Sequence, residues 1–287
     1  MKTLFNCIIF ICFSIFSYGQ TQGIKIDGDM RQFTMYVPKT INKEKPVALV
    51  LNFHGSGMTA LEHMFYSEMN TTADTNNFIL VYPQGKDNDW NVGFGMDYDK
   101  GPKDVEFIGQ LIKKIQKHYK IDPSAIFATG LSRGGFFTHR LATEMPDVFA
   151  AIAAVGAPLP IQVKERHTSK TKVALLLAHG DVDEHVKYKG KETKYLSVDE
   201  TIIYWRTHND SNSEKVTKNI NPIEDETSVS ITTYSGDKDV VLVKIVNGGH
   251  TWPGANDFNI GFPLGKTTHD ILFNEVMWKF FMSNNKQ

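Results

Sequence analysis

Continuous apolar runs recur along the chain, and each of them ends close to a glycine or a proline. Runs of this kind are typical of strands that are buried on both faces of a parallel sheet. They predict strands over residues 46–55, 78–85, 126–130, 149–155, 173–180 and 239–250. Residues 31–38, in which apolar and polar positions alternate, and residues 228–236 predict two more strands.

Segments with helical spacing separate these runs. Residues 104–119 carry apolar side chains at positions 105, 108, 111, 112, 115 and 119, which is the spacing of one helical face. Residues 136–145, 200–208 and 269–281 predict further helices. Strands that alternate with helices indicate the α/β class, with a mostly parallel, doubly wound sheet. Because no repeat or low-complexity linker interrupts the pattern, we predict a single domain.

Composition and charge narrow the class of protein. The chain has 287 residues, of which 41% are hydrophobic and 22% charged, as in an ordinary globular protein. Its 31 Lys and Arg residues are balanced by 32 Asp and Glu residues, so it lacks the basic excess that nucleic-acid binding requires. We therefore expect no nucleic-acid partner.

The first nineteen residues resemble an export signal. Lys2 supplies a positive charge, residues 4–16 are almost entirely apolar, and Ser17 and Gly19 are small residues at the positions that a signal peptidase reads. We predict cleavage before Gln20, which leaves a catalytic domain over residues 20–287. The apolar stretch is too short to span a bilayer comfortably. We therefore expect a secreted, extracellular or periplasmic protein without stable membrane association, which we take to be a monomer.

The two cysteines, Cys7 and Cys12, both lie in this predicted signal. A mature chain without cysteine excludes a thiol nucleophile, a thiolate metal site and disulfides. Residues 181–185 include three acidic residues and one histidine. Their spacing matches neither an EF-hand nor a zinc site. We therefore expect neither a metal nor a cofactor.

The most informative stretch is the end of the predicted strand at residue 130. Gly130, Ser132 and Gly134 form a Gly-x-Ser-x-Gly pattern between a buried strand and a helix. Such a turn exposes the serine hydroxyl at the carboxyl edge of the sheet, and its glycines avoid collisions with neighbouring backbone. The helix that follows favours developing negative charge at its amino end. Ser132 is therefore our candidate nucleophile.

A serine nucleophile requires a general base and a group that orients the base. His250 follows the last predicted strand, and the loop after residue 180 offers Asp181, Asp183 and Glu184. Because both loops are expected at the same sheet edge, in the order serine, acid, histidine, they can complete a triad. Other histidines are placed less well: we interpret His54 and His179 as braces of their loops, and His139 and His185 as surface residues.

Four motifs carry a family resemblance: GLSRGG, HGDVDEHVKYKG, GGHTWPG and YPQG…WNVG. Over nearly the whole mature chain, the sequence resembles the secreted polyhydroxybutyrate-depolymerase and feruloyl-esterase group of the α/β-hydrolases. This resemblance implies the α/β-hydrolase fold and ester hydrolysis by Ser132, Asp183 and His250. It assigns the acid to Asp183 rather than Asp181, and it implies an oxyanion hole made by the amides of Ser56 and Arg133.

Substrate specificity is the least constrained part of the prediction. Arg133 can favour an acidic or phenolic acyl partner, but we favour a surface salt bridge. Trp90 and Trp252 flank the expected cleft, where they either stack on substrate or pack against the catalytic loops. Loops 86–102 and 255–268 are expected to wall the pocket.

We predict feruloyl or acetyl esters of plant polysaccharide as substrates. A hydroxybutyrate oligomer is the alternative, so the ligand is a small-molecule, oligosaccharide or polyester ester. An inactive, carbohydrate-binding hydrolase-like protein is the competing class of function.

Overall fold

A ten-stranded sheet forms the centre of the computed structural model, which describes residues 20–213, 215–256, 258 and 263–286. Neighbouring strands follow the order β1-β2-β4-β3-β5-β6-β7-β10-β9-β8, and the strands from β4 to β10 in this order are parallel. The strands are β1 Gln20–Ile26, β2 Asp29–Tyr36, β3 Val47–Phe53, β4 Ile79–Pro83, β5 Ile121–Leu131, β6 Ala151–Val155, β7 Ala174–Gly180, β8 Val216–Ile220, β9 Ser228–Tyr234 and β10 Val240–Val246. Antiparallel pairs close both edges. The predicted α/β class and mostly parallel sheet are confirmed.

Helices cover both faces of the sheet. The helices are α1 Ala60–Ser67, α2 Met69–Asn76, α3 Asp104–Gln116, α4 Arg133–Glu144, α5 Ile161–Arg166, α6 Val198–His208 and α7 Phe273–Ser283. Apolar residues of α3, α4 and α6 form one core with the sheet, and those of α1, α2 and α7 form a second core. The sheet is therefore doubly wound. None of the helices among the described residues has the length and apolar character needed to cross a bilayer.

Every strand and helix predicted from the hydrophobic pattern is present, with ends shifted by a few residues. The last helix, for example, begins at Phe273 rather than at residue 269. The pattern missed β1, β8, α1, α2 and α5. Strand β8 is exposed at nearly every position and α2 is mostly polar, so neither shows an apolar period. The predicted signal peptide, residues 1–19, lies outside the described residues.

A buried ion pair fixes the long loop 86–102 to the sheet. Arg31 on β2 donates to Asp104 Oδ1 at 2.7 Å, and the Asn91 amide donates to the other oxygen of the same carboxylate at 2.8 Å. Both charged side chains are almost fully buried. Because each carboxylate oxygen accepts a hydrogen bond, the buried charge is compensated. The pair thereby connects β2, α3 and the loop that precedes α3.

Several histidines are part of the core. His54, His63, His139 and His179 are at most 1% exposed. Burial lowers the pKa of His63 to about 3, and it lowers the pKa of each of the other three to about 4. All four imidazoles are therefore neutral in the folded protein at neutral pH.

These histidines make the fold sensitive to acid. In the unfolded chain the imidazoles bind protons near pH 6.5, whereas in the folded chain they do so only near pH 4 or below. Protonation therefore favours the unfolded chain, and the stability that neutral burial contributes above pH 6.5 is lost as the pH falls toward 4. We expect the free energy of unfolding in urea to decrease over this range by about 1.4 kcal/mol per pH unit for each histidine.

Two substitutions test whether the buried histidines cause this pH dependence of stability. His63→Gln should reduce the pH slope, because it removes one buried imidazole. The exposed His118 provides the matched control, since His118→Gln should leave the slope unchanged. A free energy of unfolding that is constant between about pH 7 and pH 5 would contradict the prediction.

Candidate active site

Ser132 lies at the tight turn between β5 and α4. Its backbone has φ 53° and ψ −119°, a conformation that is rare for a residue with a side chain, and its amide donates to Val155 O at 2.8 Å. A Cβ at Gly130 or Gly134 would lie 2.7 or 2.2 Å from the carbonyl oxygen of Phe53. The two glycines therefore allow β5 and α4 to approach β3, and this close packing holds the serine at the carboxyl edge of the sheet.

Asp183 and His250 form a buried hydrogen-bonded pair. His250 Nδ1 donates to Asp183 Oδ2 at 2.7 Å, while the amides of His185 and Val186 donate to Oδ1, each at 2.9 Å. Burial by itself raises the pKa of Asp183, but the His250 hydrogen bond and the neighbouring donors outweigh it and hold that pKa below its ordinary value. The charged carboxylate fixes the tautomer of His250 that leaves Nε2 available as a base.

Adjacent strands bring this pair together. Asp183 follows β7 and His250 follows β10, and these two strands are parallel neighbours. Asp181 lies in the same loop but faces elsewhere: its Oδ1 accepts from the Asn247 amide at 2.7 Å, and its Oδ2 is 3.3 Å from Lys244 Nζ. The geometry therefore places Asp183, rather than Asp181, beside the histidine.

Ser132 and His250 line one cavity of about 130 Å³. Gly55 and Ser56, from the loop after β3, form part of the same wall. Within the described part of the chain, the amides of Ser56 and Arg133 donate to no protein acceptor. Both amides can therefore donate to a ligand, as an oxyanion hole requires.

His54 braces the loop that carries Ser56. Its Nδ1 donates to Gly55 O at 2.8 Å, and its Nε2 accepts from the Gly85 amide at 2.9 Å. His179 has the same function in the acid loop, where its Nε2 donates to Val186 O at 2.9 Å and lies 3.7 Å from Asp183 Oδ2. Both histidines are braces, as predicted.

Residues 37–208 match the phospholipase/carboxylesterase family. The chain belongs to this family. Among its relatives, the putative esterase NocK of Nocardia uniformis subsp. tsuyamanensis is 29% identical over 73% of this chain and 66% of its own length. The bifunctional acetylxylan esterase/xylanase XynS20E of Neocallimastix patriciarum is 28% identical over 58% of this chain and 23% of its own length.

Further relatives differ in the substrates that their names give. They include a feruloyl esterase B of Thermothelomyces thermophilus and a poly(3-hydroxyalkanoate) depolymerase C of Paucimonas lemoignei, which are 31% and 30% identical over 42% and 50% of this chain. The chain spans less than two thirds of the length of these curated relatives. The acetyl xylan esterase of Aspergillus awamori has the same fold, with a TM-score of 0.65 over 91% of this chain and 99% of its own, at 17% identity. The chain thus has the α/β-hydrolase fold, and the predicted family is confirmed.

The structure distinguishes the two roles considered for the tryptophans. Trp90 is fully buried and donates from Nε1 to His54 O at 3.1 Å. Trp252 is 1% exposed and donates from Nε1 to Asn274 Oδ1 at 3.0 Å. Of the two alternatives, packing against the loops of the candidate site describes both rings, since both are buried and neither lines the cavity of Ser132 and His250.

Two further predictions have clear outcomes. The salt bridge predicted for Arg133 is present, since its Nε lies 3.0 Å from Asp89 Oδ1 and its Nη1 donates to Phe94 O at 2.8 Å, but the pair is mostly buried rather than at the surface. The interpretation of His139 as a surface residue is wrong. That ring is buried, where it donates from Nε2 to Ala157 O at 3.0 Å and accepts from Trp205 Nε1 at 3.2 Å.

Several residues of the site were not identified from the sequence. Met58 and Tyr66 line the cavity from the α1 region, and His185 lines it from the acid loop. Gly156, with φ +58°, follows β6 and faces the imidazole of His250. Of the two loops expected to wall the pocket, 255–268 contributes Phe258 and Leu264, whereas residues 257 and 259–262 lie outside the described residues.

Potential metal ligands do not converge anywhere in the described ranges. No group of three or more His, Cys, Asp or Glu side chains there is arranged so that it can hold a metal ion.

The two aspartates of the acid loop give a matched pair of variants. We expect Asp183→Asn to lower kcat by up to about ten-thousand-fold, because an amide no longer selects the tautomer of His250 that can act as a base. Asp181→Asn should have a small effect, since this carboxylate contacts the Asn247 amide and Lys244 instead. Steady-state hydrolysis of p-nitrophenyl acetate measures both values. The opposite ranking would show that the acid was assigned to the wrong aspartate.

Gly156 provides a test of how tightly His250 is held. A Cβ at this position would lie 2.9 Å from both Nδ1 and Cε1 of His250, so Gly156→Ala must displace the imidazole. We expect kcat to fall about a hundredfold, the cost of a misplacement of about 1 Å. Gly28 is the control, since it also has a positive φ, of +94°, but a Cβ there meets no atom within 4 Å. Equal activity of Gly156→Ala and Gly28→Ala would contradict the prediction.

Proposed function

We propose that this esterase hydrolyses its substrate through an acyl-enzyme on Ser132. His250 Nε2 takes the proton from Ser132 Oγ as Oγ attacks the ester carbonyl carbon, and it then gives this proton to the departing alcohol. Water attacks the acyl-enzyme in the second half-reaction, again with His250 as base and then acid. Asp183 orients the imidazole and stabilises its charged form. The observation that carries the proposal is the buried Asp183–His250 pair at 2.7 Å beside the cavity that Ser132 also lines.

The negative charge that forms on the carbonyl oxygen needs donors that are already in place. The Ser56 amide lies on a loop braced by His54, and the Arg133 amide lies at the start of α4. Because both groups are fixed before the reaction, they stabilise the oxyanion without reorganisation. The amino end of α4 adds a favourable dipole at the same place.

We further propose acetyl or feruloyl esters of plant polysaccharide as the substrate class. Relatives named acetylxylan esterase and feruloyl esterase B support this proposal. The depolymerase relative favours the second candidate, an oligomer of a hydroxyalkanoate such as hydroxybutyrate. The substrate would be met outside the cytoplasm by a secreted monomer from which residues 1–19 have been removed. This part of the proposal rests on the sequence pattern of that segment.

Labelling and turnover test the acyl-enzyme mechanism. A fluorophosphonate probe should label Ser132, and Ser132→Ala should lose both the label and p-nitrophenyl acetate hydrolysis, by about a millionfold in kcat. Ser213, an exposed serine outside the site, is the control, since Ser213→Ala should retain both. An unlabelled and inactive wild-type protein would favour an inactive, carbohydrate-binding function instead.

A panel of methyl ferulate, acetylated xylan and hydroxybutyrate oligomers tests the substrate class. We expect the first or the second to have the highest kcat/KM. A value for the oligomers about a hundredfold above the other two would overturn the polysaccharide-ester proposal in favour of the depolymerase activity.

A further inference from the structure

The cavity beside Ser132 is small and mainly apolar. Its volume is about 130 Å³. Pockets for drug-sized ligands are larger, about 300–1,000 Å³. The apolar side chains of its wall are Met58, Tyr66, Leu131, Phe258 and Leu264.

This composition determines which half of an ester enters the cavity. Hydroxyl groups of a sugar would lose their water partners against an apolar wall, which disfavours binding. An apolar acyl group gives up no hydrogen bonds to water, and burial of its apolar surface favours binding. The acyl group therefore occupies the cavity, and a polar alcohol portion stays toward solvent.

Two aromatic rings define one wall of this cavity. Tyr66, near the end of α1, and Phe258 are stacked with ring centroids 4.7 Å apart and an interplanar angle of 24°. Tyr66 is only 4% exposed, so the tyrosine ring is fixed within the core and supports the phenylalanine ring. The stacked pair therefore limits how far an acyl chain can extend on this side of the cavity.

The hydroxyl of Tyr66 also contacts the segment that carries His250. It accepts a hydrogen bond from the Trp252 amide at 2.9 Å. Trp252 Nε1 donates to Asn274 Oδ1 at 3.0 Å, and Asn274 Nδ2 donates to Ser67 O at 2.8 Å, which closes a ring of contacts back to the residue next to Tyr66. One side chain thus shapes the cavity and supports the loop of the base.

We propose that the Tyr66–Phe258 stack ends the acyl pocket, restricting this esterase to short acyl groups such as acetyl, and that the Tyr66 hydroxyl is a positioning group for His250. An acetyl group fits the volume of the cavity. A feruloyl group, with its ring, propenoyl chain and methoxy substituent, is several times larger than an acetyl group. The inference rests on the proposed role of Ser132, and it selects the acetyl ester from the substrates proposed above.

Acyl-length profiles test this inference. For the wild-type chain, kcat/KM for p-nitrophenyl acetate should exceed that for the octanoate and for methyl ferulate by at least about tenfold, because one misfitting methylene already costs about that much. Phe258→Ala should raise the octanoate-to-acetate ratio about tenfold, and Phe258→Leu should change it in the same direction by less. Equal turnover of acetate and octanoate by the wild type, or an unchanged ratio in both variants, would overturn the proposal.

Tyr66→Phe separates the two functions of the tyrosine, because it keeps the ring and removes the hydroxyl. It should lower kcat about tenfold for every acyl length while KM and the length ratio stay the same. A change in the ratio, or an unchanged kcat, would contradict the positioning function. Leu61→Ala, at an exposed position on the same helix, should leave both quantities unchanged.

Fluorophosphonate labelling in the same preparations distinguishes the possible failures. A labelled wild-type enzyme that prefers octanoate would refute the acyl-length inference alone. A protein that is neither labelled nor active on acetate would refute the proposed mechanism and the inference together.

Discussion

The close contact between the Ser132 turn and the backbone of β3 is the constraint on which the site depends. Gly130 and Gly134 both approach the carbonyl oxygen of Phe53 so closely that neither position has room for a Cβ. This approach is possible only where β3, β5 and α4 are already packed, so the strained conformation of Ser132 is maintained by the core of the whole sheet. The oxyanion candidates follow from the same contact, because Ser56 lies just beyond β3 and Arg133 begins α4.

Several contacts besides the hydrogen bond to Asp183 fix the position of the His250 imidazole. Gly156 lies against one side of the ring, Asp183 binds Nδ1, and the His250 amide donates to Leu264 O at 2.6 Å. Two residues further along, α1 binds the Trp252 amide through Tyr66. Each contact comes from a different element, so the position of the base depends on the folding of both halves of the chain.

Much of the fold and the placement of the candidate triad could be predicted from sequence, because those features depend on local patterns. A strand buried on both faces must be apolar throughout, and a serine on such a turn must have glycine neighbours, so β5 and Ser132 are both recognisable. The sequence pattern alone does not distinguish Asp181 from Asp183, because two carboxylates in one loop differ only in the direction that the backbone gives their side chains. The family resemblance favoured Asp183, and the geometry places that residue at His250.

The walls of the pocket could not be predicted in this way, because tertiary contacts define them. Helix α1 starts with a capping box of Thr59 and Glu62, a signal that the apolar pattern does not include. This helix contributes Tyr66, which contacts a residue 186 positions away. Trp252 follows the candidate base closely and is aromatic, so the sequence allows either a substrate contact or packing against the loop. The structure instead buries its ring between His63 and Phe273, at centroid distances of 5.5 Å from each. A motif defines where a residue lies along the chain, but packing decides whether its side chain faces the ligand or the core.

The residues proposed for catalysis and those proposed for specificity lie in different parts of the molecule. The candidate nucleophile, acid and base all follow parallel strands at the centre of the sheet, where the fold that is shared with other esterases fixes them. Part of the cavity wall comes instead from the α1 region and from the loop after His250, which lie outside the sheet. Substitutions in these two segments can change the acyl group that fits without disturbing the Ser132 turn. Relatives of similar identity bear the names of an acetylxylan esterase, a feruloyl esterase and a poly(3-hydroxyalkanoate) depolymerase, and one fold can carry several activities when the residues around its site differ.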